Sequence, residues 1–171
     1  MSVDSAAFRR ALSQFASGVT VLTTRGADGR PRGLTVSAFC SVSLHPPLVL
    51  ACVDRRADAN TGLRESGVFG ISILGENQED VSRRFARRGN EKFDGTALRE
   101  GRHGVPLVEG ALAQIECRVR SFHEEGDHTM WVGEVLALSS HRGRPLVYQA
   151  GAYRRVAQEA SPGGASGPDR V

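Results

Sequence analysis

A chain of 171 residues, 40% hydrophobic and 24% charged, has the size and composition of one globular domain that buries a core without covalent staples. The formal net charge of +3 arises from 22 basic residues mixed among 19 acidic ones, which leaves no basic stripe for a nucleic acid. The three cysteines, Cys40, Cys52 and Cys117, are odd in number and have no C-x-x-C spacing, which argues against a disulfide framework and a zinc site.

The opening MSVDSAAFRR lacks a basic stretch followed by an apolar run, so no secretory signal is predicted and a cytoplasmic location is expected. From Asp4 to Phe15 the spacing of Ala7, Phe8, Ala11, Leu12 and Phe15 predicts one apolar helical face, with Asp4 or Ser5 as cap and Gly18 as terminator. GVTVLTT, Gly18 to Thr24, reads as a strand, and GADGRPRG supplies the turn of a hairpin.

The stretch from Leu34 to Val53 contains no Asp, Glu, Lys or Arg. Ordinary usage leaves a run of twenty uncharged only roughly half a per cent of the time, so both of its faces are expected to be covered. Its hydroxyls and its Pro46-Pro47 pair argue against a membrane span. Leu34, Val36, Ala38, Cys40, Val42 and Leu44 alternate with Thr35, Ser37, Phe39, Ser41 and Ser43, which predicts a single strand with one apolar and one mostly hydroxyl face. After the proline pair, LVLACV begins another strand.

Further along, a short helix is expected from Ala57 to Glu65 and a strand from Val68. A second helix is capped by Asn77, with Glu79 and Asp80 in its first turn and Arg87 and Arg88 in its last, ahead of Gly89. Two long strands, Ala113 to Phe122 and Thr129 to Ser139, are joined by HEEGDH, and a final strand or two covers Pro145 to Val156. The domain is therefore expected to span residues 1–158, with 159–171 as a disordered tail. Many short strands and few helices predict a mainly β barrel or sandwich with peripheral helices.

No P-loop, dinucleotide-binding glycine motif, H-E-x-x-H motif or nucleophile elbow is present. What the pattern offers instead is the uncharged hydroxyl face of Thr35 to Ser43. Such a strand can supply hydrogen bonds to a flavin ring and ribityl chain, or can be a half-buried strand with small polar residues facing water.

Several ordered motifs carry a resemblance. These are Phe15 to Thr24 (FASGVTVLTT), Gly33 to Leu50 (GLTVSAFCSVSLHPPLVL), Cys52 to Arg55 (CVDR), Arg84 to Ala86 (RFA), Lys92-Phe93, Gly126 to His128 (GDH) and Pro145 to Tyr148 (PLVY). With them the chain resembles the short-chain flavin reductases, whose fold is the FMN-binding split β-barrel, a Greek-key antiparallel barrel. The resemblance implies hydride transfer from NADH or NADPH to FMN or FAD, a homodimer, and a partner flavin-dependent monooxygenase, with no nucleic acid, membrane or metal involved.

The resemblance also implies roles. Thr35, Val36, Ser37, Ala38, Ser41, Val42 and Ser43 would line the flavin, largely through backbone groups. Cys52, Val53, Asp54, Asn60 and Thr61 would follow the ribityl and phosphate side. Phe85, Ala86, Phe93 and Lys92, the only lysine, would close the site near the phosphate. His128 would sit at the nicotinamide, with His141 and Tyr153 as weaker candidates. A flavin store or sensor without turnover, or a split-barrel oxidase of another substrate, would use the same scaffold.

Overall fold

A computed structural model describes residues 3–157; the tail expected at 159–171 lies outside them. Helix α1 (Ser5–Leu12) starts where Asp4 accepts the Ala7 backbone N–H at 2.8 Å, as a capping aspartate does. The expected strand from Gly18 is two: β1 (Ser17–Gly18) and β2 (Thr20–Arg25). β3 (Pro31–Val36) returns beside β2 as the predicted hairpin, pairing Thr20 with Val36 and Arg25 with Pro31.

The single strand expected from Leu34 to Leu44 is corrected. β3 ends at Val36, Ser37 and Ala38 form a link, and β4 (Phe39–Leu44) follows, with β5 (Pro47–Asp54) after the proline pair. The rest comprises α2 (Ala59–Ser66), β6 (Val68–Ile73), α3 (Glu79–Phe85), a 3-10 turn (Glu91–Phe93), β7 (Leu98–Glu100), β8 (Pro106–Val108), β9 (Ala113–Glu125), β10 (His128–Ser140), β11 (Val147–Gln149) and β12 (Ala152–Arg154). Gln78, not Asn77, holds the cap position of α3, and its side chain bonds elsewhere, accepting from Gly75 N and donating to Glu109 O.

The main sheet has seven strands in the order β3-β2-β6-β9-β10-β5-β4. β3 and β4 are consecutive in the chain yet lie at opposite ends of that order. Laid flat, the first and seventh strands would stand about 29 Å apart, six spacings of about 4.8 Å. The link from Val36 to Phe39 spans three Cα steps, about 11 Å at most. The sheet must therefore curl until its two edges approach. No ladder joins β3 to β4 among the described residues, so the curl stays open along a seam, as a split barrel does.

Alternation along β2 serves two cores. Leu22 points into the curl with Val53, Leu63, Phe69, Ile71 and Trp131. Val19 and Val21 point the other way, onto Leu74, Phe85, Val108 and Leu146. The expectation that both faces of the uncharged stretch are covered is met only in part: β5 buries one face and half-buries the other, β3 is buried or half-buried along its length, and β4 is largely bare. In the single chain Cys40, Ser41, Val42 and Leu44 are exposed. Likewise α1 buries no residue, and Phe8, Leu12 and Phe15 stand exposed.

Candidate functional site

At the seam the structure forms a cleft of about 400 Å³. One wall is β3, from Arg32 to Thr35; the opposite wall is the end of β5 at Asp54, followed by Arg56 to Ala59. The end of α3 and the turn beyond it, Phe85 to Asn90, close the cleft together with Lys92. Thus Thr35, Asp54, Phe85, Ala86 and Lys92, all named from the resemblance, meet in one place.

Gly33 is the residue that lets this wall form. A Cβ there would lie 2.7 Å from the Leu22 carbonyl oxygen and 3.3 Å from Phe85 Cε1, closer to the backbone oxygen than side chains come. Gly33→Ala is expected to push β3 off β2 and cost about 1–2 kcal/mol, an overpacking penalty. Urea titration of the variant against the parent measures it.

Charges in the cleft pair unequally. Asp54 Oδ1 accepts the Arg56 backbone N–H at 2.9 Å and its Nε at 3.1 Å, while Oδ2 accepts Arg56 Nη2 at 2.7 Å. These bonds hold the Asp54 carboxyl well below the usual carboxylate range, so the two side chains largely cancel. Arg32 reaches Asp28 at 3.5 Å. Arg87 and Arg88, by contrast, form no side-chain hydrogen bond or ion pair among the described residues. The cleft therefore ends in two uncommitted guanidinium groups, a donor set suited to phosphate.

The remaining predicted residues fall elsewhere. Val36 and Val53 are core side chains. Asn60 is buried with its amide in use: Nδ2 donates to Asp54 O at 2.7 Å and Ala57 O at 3.3 Å, and Oδ1 accepts from Trp131 Nε1 at 2.9 Å. It holds the Asp54–Ala57 turn in place and has no side-chain donor turned to the cleft. Cys52 is half-buried on β5, and burial pushes its thiol up. Ser37 and Ala38 lie in the exposed link, Thr61 is exposed on α2, and Ser41, Val42 and Ser43 belong to β4.

Thr35 presents backbone at the cleft, since its hydroxyl donates to Ser82 O at 2.7 Å. Phe93 packs edge-on against Phe85, with ring centroids 5.1 Å apart. Tyr153 shares a 2.8 Å hydrogen bond with Ser82 and lies under Arg83, while His141 is exposed beyond β10; neither lines the cleft.

His128 opens β10 directly opposite Asp54 of β5, at the edge of the cleft. Its Nδ1 lies 2.7 Å from Asp127 Oδ1, and that contact holds the Asp127 carboxyl below its ordinary value. Nε2 is left free for another partner. Lys92 lines the cleft but is tied into the fold. Its ammonium donates to Gly33 O at 2.8 Å and to Arg87 O at 2.9 Å, and burial lowers its proton affinity.

Sequence reasoning missed Arg56, Asp58, Arg87, Arg88 and Asn90 as cleft residues. The spacing places the two arginines in the last turn of a helix, but α3 stops at Phe85 and leaves them in the turn before Gly89, whose φ is +90°. An Arg-Arg-Gly run after a short helix was the available signal.

Comparison with known proteins gives the family. A family model described as flavin reductase like domain matches residues 12–157. An NADH-dependent flavin reductase of a Rhodococcus species is 46% identical over 150 residues, 86% of this chain and 84% of that protein. The flavin-dependent monooxygenase reductase subunit HsaB of Rhodococcus jostii is 39% identical over 156 residues, 91% of this chain and 80% of its own. The solved Streptomyces globisporus NADH:FAD oxidoreductase SgcE6, in complex with NAD and FAD fragments, superposes with a TM-score of 0.87 at 38% identity, covering 92% of this chain and 96% of that one.

Proposed function

This chain belongs to the flavin reductase like domain family, and on that premise we propose that it is an NADH-dependent flavin reductase supplying reduced FMN or FAD to a separate monooxygenase. The observation that carries the reading is the cleft at the open seam, where the uncharged Gly33, Leu34 and Thr35 of β3 and a turn with two uncommitted arginines line the same space. That is the polarity of a flavin mononucleotide: a flat, neutral ring at one end and a phosphate at the other.

A flavin held here would supply the hydride acceptor, so the chain itself needs no activated nucleophile. Its own residues bind and orient. β3 from Gly33 to Thr35 offers backbone groups to the ring edge, and Arg87 and Arg88 hold the phosphate. His128, with Nδ1 engaged by Asp127, keeps Nε2 available to place the nicotinamide carboxamide. The test is steady-state NADH and NADPH oxidation with and without added flavin. Oxidation of NADH only when FMN or FAD is present supports the reading; flavin binding without turnover would mark a store or sensor instead.

The working form is a homodimer in this reading. β4 is an edge strand with unpaired backbone groups and with Val42 and Leu44 51% and 59% exposed, a combination that invites a second copy. A symmetric partner would also cover the uncharged stretch whose outer face stands bare in one chain. Leu44→Asp is expected to shift the protein from dimer to monomer in sedimentation velocity. A parent protein that sediments as a monomer at micromolar concentration contradicts the assignment. Free thiols at Cys40, Cys52 and Cys117 fit a reducing cytoplasmic compartment.

A further inference from the structure

We propose that Lys92 serves the cofactor at one remove, as a pin that holds the Arg87–Asn90 turn against β3 so that Arg87 and Arg88 face the cleft. The proposal rests on the reading that those arginines meet the flavin phosphate. It assigns Lys92 a positioning role in place of direct phosphate contact.

The geometry is specific. An ammonium has three donors, and two are taken by carbonyls on different segments: Gly33 of β3 and Arg87 of the turn. Among the described residues no backbone hydrogen bond joins residues 87–90 to β3. The backbone bonds of that segment run back to α3, through Arg87 N to Arg84 O, or forward, from Phe93 N to Asn90 O. The base of the pin is itself fixed, because the Lys92 carbonyl accepts Thr96 Oγ1 at 2.8 Å and Phe93 packs edge-on against Phe85.

The turn also needs a pin. A second cleft, of about 340 Å³ and lined by Arg84, Glu91, Asp94 and Gly95, lies behind it and shares Arg87, Arg88 and Lys92 with the first. The two arginines thus stand in a wall with open space on both sides. Gly89, at φ +90°, gives that wall a residue free to turn. Cutting the Lys92 bridge lets the guanidinium groups spread over both clefts, which dilutes the arrangement a phosphate would meet.

Five proteins decide it: the parent, Lys92→Met, Lys92→Arg, and Arg87→Gln/Arg88→Gln with and without Lys92→Met, each titrated calorimetrically with FMN and with riboflavin. Lys92→Met is expected to weaken FMN about tenfold and riboflavin less than about twofold, the scale of one charged hydrogen bond acting on phosphate alone. In the arginine-free background it should add nothing further. Lys92→Arg should fail to restore FMN affinity, because a planar fork does not reproduce a compact ammonium between two carbonyls.

A loss that adds in full to the arginine loss, or rescue by Lys92→Arg, makes Lys92 a direct phosphate ligand and overturns the proposal. Equal losses for FMN and riboflavin reduce it to general packing and overturn it as well. An arm without flavin separates the pin from the functional reading. In flavin-free protein, an arginine-specific protease should cut after Arg87 and Arg88 several-fold faster in Lys92→Met than in the parent. Unchanged cleavage refutes the pin, whereas faster cleavage in a protein that binds no flavin leaves the pin standing and refutes the flavin assignment.

Discussion

Asn60→Ala is expected to lower the unfolding free energy by about 2–4 kcal/mol and to weaken flavin binding with it. Asn60 is 7% exposed and joins three parts of the fold through one amide. Its Nδ2 reaches the carbonyls of Asp54 and Ala57, and its Oδ1 takes the indole N–H of the fully buried Trp131. The two carbonyls each keep a backbone donor, from Ala57 N and Asn60 N, so the main orphan is the indole N–H. An unpaired donor in that core has nowhere to find water.

The second consequence is local. The turn that Asn60 clamps carries Asp54, Arg56 and Ala57, which form one wall of the cleft. Urea unfolding followed by Trp131, the only tryptophan, gives the stability change, and a flavin titration gives the binding change. A residue that simply touched the cofactor would lose binding with stability intact. That outcome would reinstate the direct contact implied by family resemblance and remove the clamp.

Asn60 illustrates what the sequence could and could not convey. A β-rich chain with hairpins was legible because strand alternation and glycine-bearing turns are local signals, and β2–β3 and β9–β10 formed as expected. The break at Ser37–Ala38 was not legible. The apolar and polar residues alternate through it without a change of phase, and only the curl of the seven-stranded sheet requires a link there. That break sets Thr35 in the cleft and leaves Ser41, Val42 and Ser43 on the far edge.

The candidate site divides the same way. Asp54, Phe85, Ala86 and Lys92 were found through motifs, but motifs carry no partners. Only three dimensions show that the Lys92 ammonium ends on two carbonyls and that the Asn60 amide is fully engaged. Arg87 and Arg88 match a helix dipole because their spacing continues the pattern of α3, which stops before reaching them. The amphipathic reading of α1 and β4 expects apolar faces that one chain does not bury: Phe8, Leu12, Phe15, Val42 and Leu44 stand exposed.

His128→Ala is expected to lower kcat/KM for NADH roughly 10- to 100-fold, the loss of one positioned contact worth about 1.4–2.7 kcal/mol. Flavin affinity should change far less, since His128 is outside the cleft lining and pairs in the ladder with Asp54 at its edge. Asp127→Asn is the companion variant: it keeps a partner for Nδ1 but removes the charge, and should retain most of the rate. Steady-state kinetics at saturating flavin, beside a separate flavin titration, gives both numbers. If flavin affinity collapses while NADH kinetics at saturating flavin stay intact, His128 belongs to the flavin environment and the nicotinamide assignment is wrong.

The most direct measurement is a single turnover without oxygen, in which protein loaded with FMN or FAD is mixed with NADH or with NADH deuterated at the transferred C4 position. The account predicts that the oxidised-flavin absorbance disappears in one enzyme-dependent phase, slowed by a primary isotope effect, and that NADH is consumed in equal amount. Flavin that binds tightly yet keeps its oxidised spectrum while NADH remains unconsumed would contradict it.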